Sequence, residues 1–394
     1  MKYGIAGKFV TQNALERLHA AGQSIWLDYI DRTMLHDGDL ARRIRDDALT
    51  GMTSNPTMFE KALTSSPAYD DQIRFQGRGI APYELFERIA TTDVRDACDL
   101  FRPVHERTGG ADGYVSIEVS PELAYKPEAS VAEATRLWAT VDRPNVMIKI
   151  PGTMQGLLAI RELTAAGINV NITLLFSRDM HRRVIDAYMA GLEDRVAAGK
   201  PLSGIHSVAS FFVSRVDAKV DALLEELAPR DSINRNEPHA LAGKAGIANA
   251  KLAYRLFRTE FSSPRWMRLA ERGGNIQRPL WASTGVKNPA YRDVMYVEAL
   301  IGRDTVVTVP PKTLDAFRDH GVVANTVDAN EADAAAELER IERVGISVRD
   351  VTAKLLADGL ASFEESFTVA LKSLKQKAAA LDVPLADVPL PRAG

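Results

Sequence analysis

Eight short apolar or alternating runs recur along this chain with helix-like segments between them, and this alternation constrains the fold more than any other feature. The runs are SIWLDYI from 24, GMTSNP from 51, GYVSIEV from 113, NVMIKIP from 145, NVNITLL from 169, IHSVASFF from 205, RPLWAST from 278 and TVVTVPP from 305. Segments such as TMQGLLAIRELTAAG and SRDMHRRVIDAYMAGLEDRVAAG separate them and close on glycine, as helix ends prefer. Strands alternating with helices predict a parallel sheet. None of the eight runs reads as an edge strand, which favours a closed α/β architecture, a (β/α)8 TIM barrel, over an open doubly wound sheet.

The expectation is one barrel domain over 1–394, with strands near 24–30, 51–55, 113–119, 145–151, 169–175, 205–212, 278–284 and 305–310. Helical insertions are expected at 57–112 and 213–277, and further helices over 330–382 form a C-terminal layer. Ser347-Val348-Arg349-Asp350 reads as a capping box that opens a long amphipathic helix running to about Leu381. The proline-rich end VPLADVPLPRAG is expected to be frayed or extended.

Composition excludes several function classes. An apolar fraction of 46%, a charged fraction of 26% and a net charge of −3 describe an ordinary globular protein with no basic excess for nucleic acid. No apolar stretch is long enough to span a bilayer, and MKYGIAGKFVTQN lacks the basic and then apolar blocks of a secretion signal, so the cytoplasm is the expected location and no membrane partner is expected. The single cysteine, Cys98, falls at a core position of a helical pattern and excludes an intramolecular disulfide framework.

In a barrel of this kind chemistry sits at the carboxyl ends of the strands. Polar residues gather there. The first strand carries Asp28, the second ends in Thr53 and Asn55, and the third carries Ser116 and Glu118 on one face. The fourth carries Lys149 between Ile148 and Ile150. In the fifth, Asn169, Asn171 and Thr173 alternate with Val170, Ile172 and Leu174, so the three polar groups share one side, expected to face the lumen. The sixth offers Ser210 and Phe212 with Arg215 just beyond. Each residue also has a plain structural reading: Lys149 as a solvated strand end, Asp28 as a loop start, Asn55 before Pro56 as a turn. Their coincidence at one end of one barrel points to a site.

A desolvated lysine favours its neutral form, and a neutral amine adds to a ketone to form a Schiff base. The protonated imine is an electron sink that lets the adjacent carbon–carbon bond break, provided a carboxylate takes the proton of the hydroxyl that becomes the departing aldehyde. A second carboxylate, acting through water, shuttles protons as the carbinolamine forms and dehydrates. No metal or other cofactor is expected, and the seven histidines show no HExxH or Cys/His ligand spacing. The acidic stretch DYIDRTMLHDGD reads as a turn at Asp37-Gly38 with Asp39 capping the next helix.

LTGMTSNPTMFEKAL, YVSIEVSPELAY, VMIKIPGTMQG, GINVNITLLFS and SVASFFVSRVD together resemble the transaldolases, and specifically their longer bacterial type, over about residues 20 to 320. The resemblance implies a TIM barrel that moves a dihydroxyacetone unit from sedoheptulose 7-phosphate to glyceraldehyde 3-phosphate, giving erythrose 4-phosphate and fructose 6-phosphate in the pentose phosphate pathway. It implies Lys149 as the Schiff-base lysine, Asp28 as acid and base at the cleaved bond, and Glu118 with Thr173 as holders of the catalytic water. Asn55 and Asn171 would orient the dihydroxyacetone portion, while Ser210 and Arg215 would lie toward the sugar phosphate. In WASTGVKNPAYRD, Ser283 is present but the nearest cation is Lys287, where shorter relatives carry an arginine. Lys287 is therefore the expected phosphate contact, and Arg292 the next candidate.

Two rival readings stand beside this one, and within the resemblance a transaldolase relative of specialised sugar metabolism is a further alternative. A fructose 6-phosphate aldolase shares the lysine, but the resemblance places tyrosine where this chain has Phe212 and glutamine where it has Glu118. A barrel that binds sugar phosphate without catalysis is permitted by the fold but not by Lys149, Asp28, Glu118 and Thr173 occurring together. Some relatives are fused to a glucose 6-phosphate isomerase domain, and this chain is read without one. Monomer and homodimer are both compatible with the sequence.

Overall fold

The computed structural model describes residues 12–227 and 240–388. Most of MKYGIAGKFVTQN, part of the second inserted segment and the last residues of the tail lie outside the described residues.

Eight parallel strands close into a barrel in sequence order: β1 (Gln23–Asp28), β2 (Leu49–Thr53), β3 (Val115–Glu118), β4 (Val146–Pro151), β5 (Val170–Leu175), β6 (Ser207–Phe212), β7 (Gln277–Ala282) and β8 (Thr305–Val309), which pairs back to β1. The period-2 alternation of strands explains why runs apolar on both faces form this ring. Ile25, Leu27, Ile148, Ile150, Ile172 and Phe211 point outward into the apolar cluster shared with the surrounding helices. Their neighbours Trp26, Met147, Val208, Leu280 and Val306 belong to a second cluster that fills the lumen.

The lumen is plugged from below. Trp26 donates its Nε1 proton to Asp112 at 2.8 Å, and Arg278 reaches Ser24 at 2.7 Å and Asp112 at 3.6 Å. Gly51 on the adjacent strand makes room for the indole, since a Cβ there would lie 2.5 Å from Trp26 Nε1. Asn169 belongs to this lower end rather than to the mouth. Its side chain accepts from His206 N–H at 2.9 Å and donates to Pro144 and Val146 carbonyls, which ties together the starts of three strands.

After β2 the chain forms helices Pro56–Ser65, Asp70–Gln76 and Pro82–Arg107 before β3. Cys98 is buried on the last of these. Asn55 caps the first by accepting from Met58 N–H, with Pro56 at its opening position. The acidic turn differs from expectation in one detail. Asp37 accepts from Asp39 N–H at 2.8 Å, Gly38 takes a left-handed φ of 88° at the cap position, and Asp39 opens the helix and pairs with Arg42 and Arg43.

The long C-terminal helix, Val348–Ala380, is capped by Ser347, whose hydroxyl accepts from Asp350 N–H. Its Leu355, Leu360 and Phe363 join the same apolar cluster as the lumen residues, so the helix lies over the carboxyl end of the barrel. The tail beyond it is docked rather than frayed up to Val388. Val383 is buried, Gly79 N–H donates to the Pro384 carbonyl at 2.8 Å, and Ala386 N–H donates to Ile80 at 2.8 Å. Among the described residues, no helix is long and apolar enough to cross a membrane.

Candidate functional site

At the carboxyl end of the ring the inward residues become polar. Asp28, Thr53, Asn55, Lys149, Thr173, Ser210, Phe212, Arg215, Ser283 and Lys287 line one cleft. Strand register brings them together: Asp28 pairs with Thr53, Thr53 with Ser116, Glu118 with Lys149, and Lys149 with Asn171. Ten of the residues expected from sequence therefore share one surface. β2 and β7 end at Thr53 and Ala282, so Asn55 and Ser283 sit in the loops beyond them. Ser283 holds a left-handed φ of 54° and its hydroxyl lies 2.9 Å from Ser214.

Lys149 is 5% exposed. Its Nζ donates to the Ser54 carbonyl at 3.0 Å and lies 3.9 Å from Glu118 Oε2, beyond hydrogen-bond length. Neither Glu118 oxygen has a hydrogen-bond partner, nor does the buried Thr173 hydroxyl. Burial, opposed by Lys149, pushes the Glu118 carboxyl up to about 7. Asp28 accepts from Thr53 Oγ1 at 2.7 Å. Burial raises its pKa as well, against the lowering pull of Lys149, the Thr53 bond, Arg215 and Lys287.

Thr173 and Leu174 both turn toward the mouth because β5 bulges there. The register shifts between Ile172 and Leu175, and Leu174 adopts φ 59°. One layer below, Asn171 is locked in place, accepting from Ser210 Oγ at 2.6 Å and donating to Ser116 Oγ at 2.9 Å. Ser116 and Asn171 therefore form the floor under the cleft rather than its wall. Arg215 lies over the Phe212 ring, 5.5 Å from its centroid, and burial lowers its pKa against the opposing pull of Asp28. Arg292 is not in this group: it pairs with Glu298 on the exposed surface and donates to the His320 carbonyl.

Four contributors escaped the sequence reading. Thr308 lies 3.1 Å from Thr53 Oγ1, and Thr284 donates to the Thr308 carbonyl. The alternation applied to β5 would have found Thr308 in β8, since it shares the inward phase of Val306. The Ser54 carbonyl and Phe363, which closes one side of the cleft from the C-terminal helix, carry no local signal.

A parallel (β/α)8 barrel whose mouth holds a buried lysine flanked by two carboxylates is a protein equipped for imine chemistry on a carbonyl substrate. A family model described as Transaldolase/Fructose-6-phosphate aldolase matches residues 25–374, and the chain belongs to that family. A Transaldolase of Thermobifida fusca (strain YX) is 48% identical over 368 residues, covering 93% of this chain and 98% of that protein. Transaldolase 2 of Streptomyces avermitilis is 47% identical over 363 residues, covering 92% and 96%, and a Transaldolase of Parafrankia sp. (strain EAN1pec) is 46% identical over 365 residues, covering 92% and 97%.

Proposed function

We propose that this chain is a transaldolase, transferring a dihydroxyacetone unit reversibly from sedoheptulose 7-phosphate to glyceraldehyde 3-phosphate through a Schiff base on Lys149. The observation that carries the reading is the burial of Lys149 Nζ between Glu118 and the cleft that holds Asp28. Near-full-length relatives that bear the name transaldolase support the same activity. We read the barrel, inserted helices and C-terminal layer as one domain, which the presence of Phe363 in the cleft supports, and we assign the enzyme to the cytoplasm.

The ketose carbonyl is attacked by the Lys149 amine. Glu118, acting through a water it shares with Thr173, delivers the proton on which the carbinolamine hydroxyl leaves as water. A carboxyl near 7 is matched to giving and taking protons at neutral pH. Asp28 then removes the proton of the C4 hydroxyl, the C3–C4 bond breaks toward the iminium, and the aldehyde departs. The three-carbon enamine stays on Lys149 until the acceptor aldehyde arrives and the steps reverse. Asn171, fixed by Ser116 and Ser210, and Asn55, fixed by the helix it caps, orient the bound three-carbon unit. Arg215 and Lys287 supply positive charge for the substrate phosphate. Phe212 brings no acid to protonate the enamine, which favours transfer over release.

Borohydride reduction in the presence of fructose 6-phosphate, followed by peptide mass mapping, tests this reading. A three-carbon adduct on the Lys149 peptide is expected, and fructose 6-phosphate consumption should require erythrose 4-phosphate. An unmodified Lys149 in protein that turns over substrate would end the Schiff-base assignment, and equal consumption without acceptor would make the enzyme an aldolase.

A further inference from the structure

Glu118 faces away from the substrate cleft as well as toward it. The cleft that holds Lys149 and Asp28 does not include Glu118 in its lining, whereas a second cavity directly behind does, and the two share only Asn55. This second cavity, of about 40 Å³, has room for roughly three water molecules. Phe59, Phe86 and Phe367 supply its apolar walls, but both Glu118 oxygens, the Ser120 hydroxyl and Glu87 Oε2 are buried at its edges with no hydrogen-bond partner. Unpartnered buried oxygens on either side of a water-sized space are satisfied by water.

The far wall leads to the surface. Glu133 accepts from Ser120 N–H at 2.6 Å, and Arg136, 47% exposed at its side chain, pairs with both Glu133 and Glu87. We infer that this cavity is a hydrated passage that carries protons between Glu118 and bulk solvent, with Glu133 as the proton-carrying carboxylate at its outer end. The inference rests on Glu118 being the proton shuttle of Schiff-base formation. Forming a protonated imine from a neutral amine and a ketone consumes one proton and releases one water. Glu118 gives that proton in the first half-reaction and takes it back when the imine is hydrolysed, so its carboxyl must change protonation state while the sugar fills the barrel mouth. Over a whole transfer the gain and the loss cancel, and the cavity water with Glu133 lets Glu118 exchange protons with solvent in either direction while the mouth is blocked.

Two variants test the passage by different means. Glu133→Gln keeps the acceptor for Ser120 but removes the proton carrier, and Ala90→Val adds methyl groups to the cavity wall and displaces water. Steady-state kinetics and thermal melting are measured in light and heavy water on wild type and both variants, with borohydride trapping as a control. Folded variants should show kcat lowered about tenfold, unchanged KM for fructose 6-phosphate and erythrose 4-phosphate, a larger solvent isotope effect on kcat, and a Lys149 adduct that still forms. Wild-type kcat and isotope effect in both variants would overturn the passage, as would a raised KM with the isotope effect unmoved, which marks packing damage. Absence of the adduct in wild type would instead remove the Schiff-base reading beneath it.

Discussion

Burial raises the pKa of the Glu118 carboxyl, whose oxygens have no hydrogen-bond partner, and outweighs the lowering pull of Lys149 3.9 Å away, so the protein holds its proton more tightly than water does. Its ordinary value is 4.5 and its folded value about 7, and the stability linked to it is therefore complete below 4.5 and is lost as pH rises toward 7. Glu118→Gln should melt higher than wild type at pH 8, with the gap closing toward pH 4, while kcat drops about a hundredfold and its inflection near 7 disappears. A pH profile that keeps this inflection in the variant would assign it to another group. Gly51 shows a different constraint at the same scale. Gly51→Ala forces a methyl against the Trp26 indole and should cost about 1–3 kcal/mol by overpacking. Chemical denaturation gives the number, and no loss would mean that the lumen plug can shift. Nothing in GMTSNP marks this glycine as special, because its partner lies on another strand.

The C-terminal helix, Val348–Ala380, helps to build the mouth as well as covering it. Gly359 lets it approach, since a Cβ there would sit 3.0 Å from Leu174 Cδ2 and 3.7 Å from Arg215 Nη1. Both neighbours matter to the cleft, Leu174 through the β5 bulge and Arg215 through the positive charge that we propose faces the substrate phosphate. Gly359→Val should displace Arg215 and raise KM for phosphorylated sugars about tenfold, with the Lys149 adduct still trapped. An unchanged KM would detach this helix from substrate binding. The helix itself could be read from the Ser347 cap and the amphipathic run. The face that carries Gly359 and Phe363 to the barrel mouth could not, because the same apolar stripe would serve any partner surface.

At the scale of the whole molecule, the tail after the last helix closes the assembly against the inserted helices. Val383 is buried with Tyr69, Ile73 and Leu374, and two backbone hydrogen bonds join Pro384 and Ala386 to Gly79 and Ile80. Deleting residues 383–394 should lower stability by about 2 kcal/mol, from one buried valine and the lost bonds. Differential scanning calorimetry reads the shift, and trapping at Lys149 should persist. A melt unchanged by the deletion would leave the tail without a structural role. The sequence alone pointed to the barrel, because eight two-faced apolar runs with none reading as an edge strand favour a closed ring over an open sheet, and it showed which strand ends carry polar groups, because polar side chains in the inward phase stand out against that background. Only the tertiary structure decided that Glu118 opens onto a second cavity, that Asn169 serves the lower end of the barrel rather than the mouth, that the Ser54 carbonyl holds Lys149, and that Phe363 closes one side of the cleft. Those assignments depend on strand register and on which surfaces meet across the ring, and such contacts between distant segments leave no periodic trace along a single chain.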